Sequence, residues 1–229
     1  MVKVIKLVNG KKIFEIGNKK IVALNNASID FELGKLYLIM GHSGSGKSTL
    51  IQILGLLDNL SSGELYINDV DVNTLTDNEK ADIRMKNIGF VFQSYFLNKN
   101  INALDNIIMP MYVNPEIKRT QRKEKAINLL KMVGLEERKN HLPSELSGGE
   151  QQRVAIARSL SNNPNIILAD EPTGNLDESN EEKIMNIFVE LKKLNKCVVV
   201  VTHNESLRKF ADVILKMKDG KISEVLNEK

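Results

Sequence analysis

Residues 41–49 read GHSGSGKST, and the segments on either side fix the setting of this loop. Upstream, 35–40 (KLYLIM) is a mostly apolar run of the kind that forms a buried strand. Downstream, 48–57 (STLIQILGLL) spaces its apolar residues as a helix does. A G-x-x-x-x-G-K-[ST] run between strand and helix suits one task. Its glycines let backbone N–H groups close around phosphate, and the helix start aims its positive dipole end at the anion. The candidate cradle is Gly41, His42, Ser43, Gly44, Ser45, Gly46, Lys47, Ser48 and Thr49. Lys47 has the reach for the β- and γ-phosphates, Ser48 has an oxygen for Mg2+, and Gly46 supplies backbone freedom that a side chain would block. A glycine-rich turn ending by chance in Lys-Ser is the plain alternative, and the strand-loop-helix order argues against it.

The chain has 229 residues, 42% of them hydrophobic, enough for one large α/β domain or a domain with an inserted subdomain. Its longest apolar stretches, such as 197–201, fall far short of the ~20 residues a membrane helix needs. The opening MVKVIKLVNGKK has neither a sustained apolar segment nor a cleavage pattern, so a cytosolic location is expected. The one cysteine, Cys197, sits in a strand-like run and reads as packing. A net charge of +3, from 32 basic and 29 acidic residues, is too mild to point to nucleic acid. The densest basic run, 118–125 (KRTQRKEK), also holds Glu124, lacks aromatics and reads as a solvated helix face.

No internal repeat, low-complexity tract or long linker interrupts the chain. Strand-like segments at 1–7, 21–31 and 64–67 flank the loop and suggest an antiparallel β-layer, and 87–93 (NIGFVFQ) closes a further strand. From 94 to 160 the spacing turns helical, as in Ala126, Leu129, Leu130 and Val133 before a stop at Gly134. Strands return at 166–169 and 198–201, around a helix over 180–194 whose stripe is Ile184, Ile187, Phe188 and Leu191. Strands alternating with helices around a phosphate loop predict an α/β fold with a mostly parallel core sheet. One domain is expected, with 1–93 and 161–229 forming the core and its antiparallel β-subdomain, and 94–160 an inserted helical subdomain.

Two further segments carry chemistry. Residues 166–171 (IILADE) are an apolar strand ending in two acids, where α/β sheets place ligands. Asp170 suits Mg2+, through water, and Glu171 suits the attacking water, while an acid pair can also cap a turn before Pro172. Residues 146–150 (LSGGE) precede a strong helix pattern, so Ser147, Gly148, Gly149 and Glu150 would present backbone N–H groups at a helix start. A lone Ser-Gly-Gly there is otherwise an N-cap.

Phosphate loop, LSGGEQ and acid-ended strand together, in this order, make the chain resemble the ATP-binding cassette family over essentially its whole length. The resemblance implies P-loop NTPase architecture, ATP and Mg2+ as ligands, and further roles residue by residue. Gln93 matches the glutamine that links the metal or water to the helical subdomain, and otherwise reads as an amide ending a strand. His203, in VVVVTHN, matches the histidine that contacts the γ-phosphate. Residues 174–177 (GNLD) match the loop that crosses between subunits, which brings Asp177 to the nucleotide. Phe14 stands where an aromatic, more often tyrosine, stacks on adenine, though spacing alone equally allows a core phenylalanine. The segments 89–93 (GFVFQ) and 169–177 (ADEPTGNLD) are similar to the branch that serves lipoprotein release, macrolide efflux and peptide-antibiotic export.

That resemblance implies an ATPase subunit acting as a pair, each ATP lying between residues 41–49 of one copy and 147–150 of the other. Catalytic roles would fall to Lys47, Glu171, His203 and Gln93, and metal ligation to Ser48, Asp170 and Gln93. A separate membrane permease would dock near 94–113 (96–113 reads FLNKNINALDNIIMPMYV), placing the chain on the inner face of the cell membrane. The rival reading is a regulator that couples ATP to a membrane-bound cell-wall or division complex. DNA-repair or translation cassettes would bring coiled-coil insertions or a second cassette, and a simple P-loop kinase leaves LSGGEQ without a purpose.

Overall fold

The apolar run after Gly34 is buried at every position, and the strand it forms lies inside the larger of two sheets. The computed structural model describes residues 2–17 and 19–227. In chain order the first elements are β1 (Lys3–Ile16), β2 (Lys19–Glu32), β3 (Leu36–Met40), α1 (Lys47–Leu54), β4 (Ser62–Ile67), β5 (Val70–Asp71), α2 (Asp77–Asn87) and β6 (Ile88–Phe92). They are followed by α3 (Ala103–Ile108), α4 (Arg119–Met132), α5 (Gly148–Ser159), β7 (Ile166–Asp170), α6 (Glu178–Lys193), β8 (Cys197–Val201), β9 (Val213–Lys218) and β10 (Lys221–Asn227).

The larger sheet has the order β10-β9-β3-β8-β7-β6, parallel from β9 to β6, with β10 added antiparallel at one edge. A parallel sheet is covered on both faces, which explains why its strands read as continuous apolar runs. Alternate residues nevertheless serve different cores. Leu36, Leu38 and Met40 join a cluster with α3, α4, α5 and α6, whereas Tyr37 and Ile39 join one with α1 and the smaller sheet. That smaller sheet, β2-β1-β4-β5, is antiparallel and contributes Ile5, Leu7, Leu24, Phe31, Leu65 and Ile67. The expected fold class, a mostly parallel sheet with an antiparallel β-layer and helices, is the observed one.

Several boundaries shift for local reasons. The helix anticipated over 48–57 stops at Leu54, because Leu56 takes a left-handed backbone (φ 58). The helix anticipated from 180 begins at Glu178, where Asp177 caps it. The strand over 1–7 runs on to Ile16, and Met1 lies outside the described residues. Residues 94–160 contain three α-helices joined by irregular chain and short 3-10 turns. Its Asn-rich opening is a closed loop. The buried Asn106 amide donates to the carbonyls of Asn98, Ile101 and Asn102 at 3.0–3.1 Å and accepts from the Asn98 N–H at 2.8 Å. Such side-chain to backbone bonds compete with helix. Features outside the sequence expectation include α2, a polar helix opened by a Thr76–Glu79 capping box, and the β9–β10 hairpin.

Phe188, on α6, is fully buried in the cluster beneath the sheet. Phe188→Ala should lower unfolding free energy by about 3–5 kcal/mol in urea denaturation. A loss under about 1 kcal/mol would contradict this packing.

Candidate functional site

Where β3 ends, the chain turns through residues 41–46 and enters α1 at Lys47. Gly46 caps α1 in the left-handed region (φ 101), and a Cβ there would lie 2.3 Å from the Ala23 carbonyl oxygen. Gly41 is equally constrained, since its Cβ would lie 2.3 Å from the Met217 carbonyl. The loop is therefore pressed against β2 on one side and β9 on the other. The Gly220 N–H, in the β9–β10 turn, donates to the Ser45 carbonyl at 3.0 Å, and the Asn25 N–H donates to Gly220 O at 2.8 Å. The Lys47 ammonium curls back over its own loop, donating to the carbonyls of Gly41 (2.8 Å) and His42 (3.0 Å).

A cleft of about 730 Å3 opens above this loop. Its wall contains Gly41 to Gly44, Gly46 to Thr49, Ile21, Val22 and Ala23, with Glu171 and His203 at one side. Asp170 ends β7, next to β6 on one side and β8 on the other, and Glu171 follows it. The Ser48 hydroxyl donates to Asp170 Oδ1 at 3.3 Å, joining the loop to that acid. Burial raises the Asp170 carboxyl above its ordinary value, and nearby Glu171 adds to this, against the Ser48 hydrogen bond and the Lys47 charge. Glu171 has a left-handed backbone (φ 46), and its carboxylate oxygens lie 3.0 and 3.1 Å from His203 Nδ1. A carboxylate and an imidazole in contact at the rim of a phosphate-type cleft can orient and deprotonate a water.

Not every expected residue meets there. Gln93, just beyond β6, donates its amide to Asn175 Oδ1 at 3.4 Å, beside the turn after β7. Phe14 lies outside the cleft wall, with the Lys12 ammonium 5.0 Å from its ring centroid. Ser147, Gly148, Gly149, Glu150 and Asp177 do not line the cleft either. Ser147 caps α5 in a reciprocal box, its hydroxyl accepting from Glu150 N at 3.3 Å while Glu150 Oε2 accepts from the Ser147 N–H at 2.9 Å. Those bonds, led by the Ser147 N–H, hold the Glu150 carboxyl below its ordinary value, and Arg138 contributes at 3.1 Å. Glu150 is thus committed to the helix start, which leaves the first-turn amides of Gly148 and Gly149 as its outward donors. Asp177 caps α6 through the Asn180 N–H at 2.8 Å, which lowers its carboxyl. Sequence reasoning missed the apolar wall of Ile21 and Val22, half-exposed at 50% and 44% on a strand.

The family model for the ABC transporter matches residues 24–174, most of the chain, including the loop 41–49, Gln93, the α5 start, Asp170 and Glu171. The chain belongs to the ABC transporter family. It is an ATP-binding ATPase subunit of that family. It is 43% identical over 227 residues to the lipoprotein-releasing system ATP-binding protein LolD of Treponema denticola, covering 98% of this chain and 100% of LolD. It is 47% identical to the macrolide export ATP-binding/permease protein MacB of Chlorobium phaeobacteroides, over 95% of this chain and 33% of MacB. Among solved structures, a dimeric post-hydrolysis state of the ATP-binding cassette MJ0796, bound to ADP and Pi, matches with a TM-score of 0.90. The identity there is 42%, over 98% of this chain and 99% of that one.

The ABC loop's donors, backbone amides and one ammonium, fit the phosphates of a nucleotide. Among the described residues no three His, Cys, Asp or Glu side chains are grouped to hold a metal by themselves. Ser48 and Asp170 instead offer two hard oxygens, a set that fits Mg2+ because that ion takes the rest of its shell from water and phosphate. Gly46→Ala should cost roughly 1–3 kcal/mol of loop strain, hence weaken ATP binding about tenfold or more by equilibrium titration. Wild-type affinity in that variant would contradict the role assigned to the left-handed cap.

Proposed function

We propose that this ABC subunit works as a homodimer with two composite ATP sites, each closed by residues 41–49 of one copy and 147–150 of the other. The observation that carries this reading is the position of α5. Its start, capped by Ser147 and Glu150, leaves the amides of Gly148 and Gly149 for an anion, yet it lines no part of the cleft in its own chain. A second copy, rotated so that each α5 start meets the other's loop, completes both sites. The dimeric structure of the MJ0796 cassette supports pairing of two copies.

In this reading Lys47 leaves the loop carbonyls for the β- and γ-phosphates, and the loop amides take the remaining phosphate oxygens. Glu171 orients the attacking water and accepts its proton. His203, held by that same carboxylate, faces the γ-phosphate and keeps Glu171 directed at the cleft. Mg2+, which Ser48 and Asp170 would hold with Gln93 alongside, supplies positive charge at the phosphate oxygens when bound. Asp177 and Phe14 act from the rim, Asp177 across the dimer and Phe14 toward adenine beside Ile21 and Val22. Catalysis is then mostly positioning and charge stabilisation.

Force leaves through the helical region. We divide the chain at 94–160 as the moving part and 1–93 with 161–229 as the ATPase core. Phe96, Met109, Tyr112 and Val113 are exposed at 41–70% on that part, an apolar surface suited to a permease segment near 94–113. No described helix is long and apolar enough to cross a membrane, so attachment at the inner membrane face would be through the permease. The proposed role is export or mechanical release of a lipoprotein, peptide or antibiotic; the names of LolD and MacB favour lipoprotein release and macrolide export within it.

Glu171→Gln keeps the shape of the side chain and removes the base. ATP should still bind, turnover should fall by about a hundredfold or more, and an ATP-dependent dimer should persist on gel filtration. Wild-type turnover in this variant would remove Glu171 from the chemistry.

A further inference from the structure

Among the described residues, α5 ends two of its side chains on backbone carbonyls that flank the proposed catalytic residues. Gln152 is fully buried, and its amide nitrogen donates to Pro172 O at 2.7 Å and to Phe92 O at 3.4 Å. Phe92 immediately precedes Gln93, and Pro172 immediately follows Glu171. One amide therefore joins the peptide entering Gln93 to the peptide that follows Pro172, the residue after Glu171. Further along the same helix, Arg158 donates to the Tyr95 carbonyl at 2.6 Å and also to the Phe96 carbonyl. Tyr95 and Phe96 are both left-handed (φ 59 and 49), a conformation unfavourable for aromatic side chains. The loop bearing Gln93 is tied to α5 at each end.

Space filling alone does not account for a glutamine here. The Gln152 carbonyl oxygen is buried with no hydrogen-bond partner, which is a cost that an apolar side chain of the same size would not carry. What the glutamine adds over methionine is its pair of N–H donors, and both reach the flanking carbonyls.

We propose that Gln152 is a positioning residue for hydrolysis, locking the backbone beside Glu171 to the backbone beside Gln93 and both to α5. The proposal rests on the composite-site reading above. In a dimer of that kind the start of α5 senses the partner's nucleotide, and Gln152 carries its position to the Glu171 of its own site.

The test uses the full chain with Gln152→Met, which keeps the volume but cannot donate, and Gln152→Asn, which keeps the amide but loses one methylene of reach. In each, kcat for ATP should fall about tenfold to a hundredfold, while KM stays within about threefold. Gln152→Met placed on Glu171→Gln should form the ATP-dependent dimer as fully as Glu171→Gln alone. A kcat within about twofold of wild type in either variant overturns the proposal. So does a large rise in KM with loss of the dimer, the pattern of general damage to the fold. If Glu171→Gln alone forms no ATP-dependent dimer, the composite-site reading fails and takes this proposal with it. If that dimer forms and Gln152→Met turns over at the wild-type rate, only the role of Gln152 fails.

Discussion

The constraint on which the rest depends is the close approach of the loop 41–46 to the two elements beside it. With Gly41 against the Met217 carbonyl and Gly46 against the Ala23 carbonyl, there is no room for a Cβ at either place. The hydrogen bond from Gly220 to Ser45 completes the clamp. A loop held this way keeps its shape before any anion arrives, so binding does not have to order it. The same clamp joins the antiparallel sheet, through β2, to the edge of the parallel sheet, through β9 and β10. One loop therefore seats both sheets.

The acid-ended strand β7 depends on that seating. Ser48 reaches Asp170 only because α1 starts where Gly46 lets it start, and Glu171 meets His203 because β7 and β8 are parallel neighbours ending at the same level. Each contact is made by residues far apart in sequence and brought together by strand order. The capped start of α5 does not line this cleft, while Gln152 and Arg158 bind that helix to the segments that carry Glu171 and Gln93.

Much of this was legible in the sequence where the signal is local. Loop, preceding strand and following helix are contiguous, and so are the apolar run and acid pair of 166–171, so their order alone set the fold class. What the sequence hid is tertiary. The polar helix α2 has no apolar stripe to reveal it, and β9–β10 gains its meaning from a backbone contact with Ser45. The Asn-rich segment after Leu97 scans as the approach to a helix until Asn106 is seen closing the loop. Phe14 is another case, since spacing placed it before the loop but could not say that Ile21 and Val22 would form the cleft wall. For Gln152 the only clue was a polar residue on a helix that buries Val154, Ala155, Ile156 and Ala157.

The central claim is that each ATP site takes its loop from one copy and its α5 start from the other. Mixing two inactive chains tests it directly. Lys47→Ala disables the loop and Gly148→Asp disables the α5 start, so neither homodimer has an intact site, whereas their heterodimer has one loop and one start, both unaltered, facing each other. The account predicts that ATP turnover absent from either chain alone returns on mixing, in proportion to the heterodimer formed. A mixture no more active than the sum of its parts would contradict it.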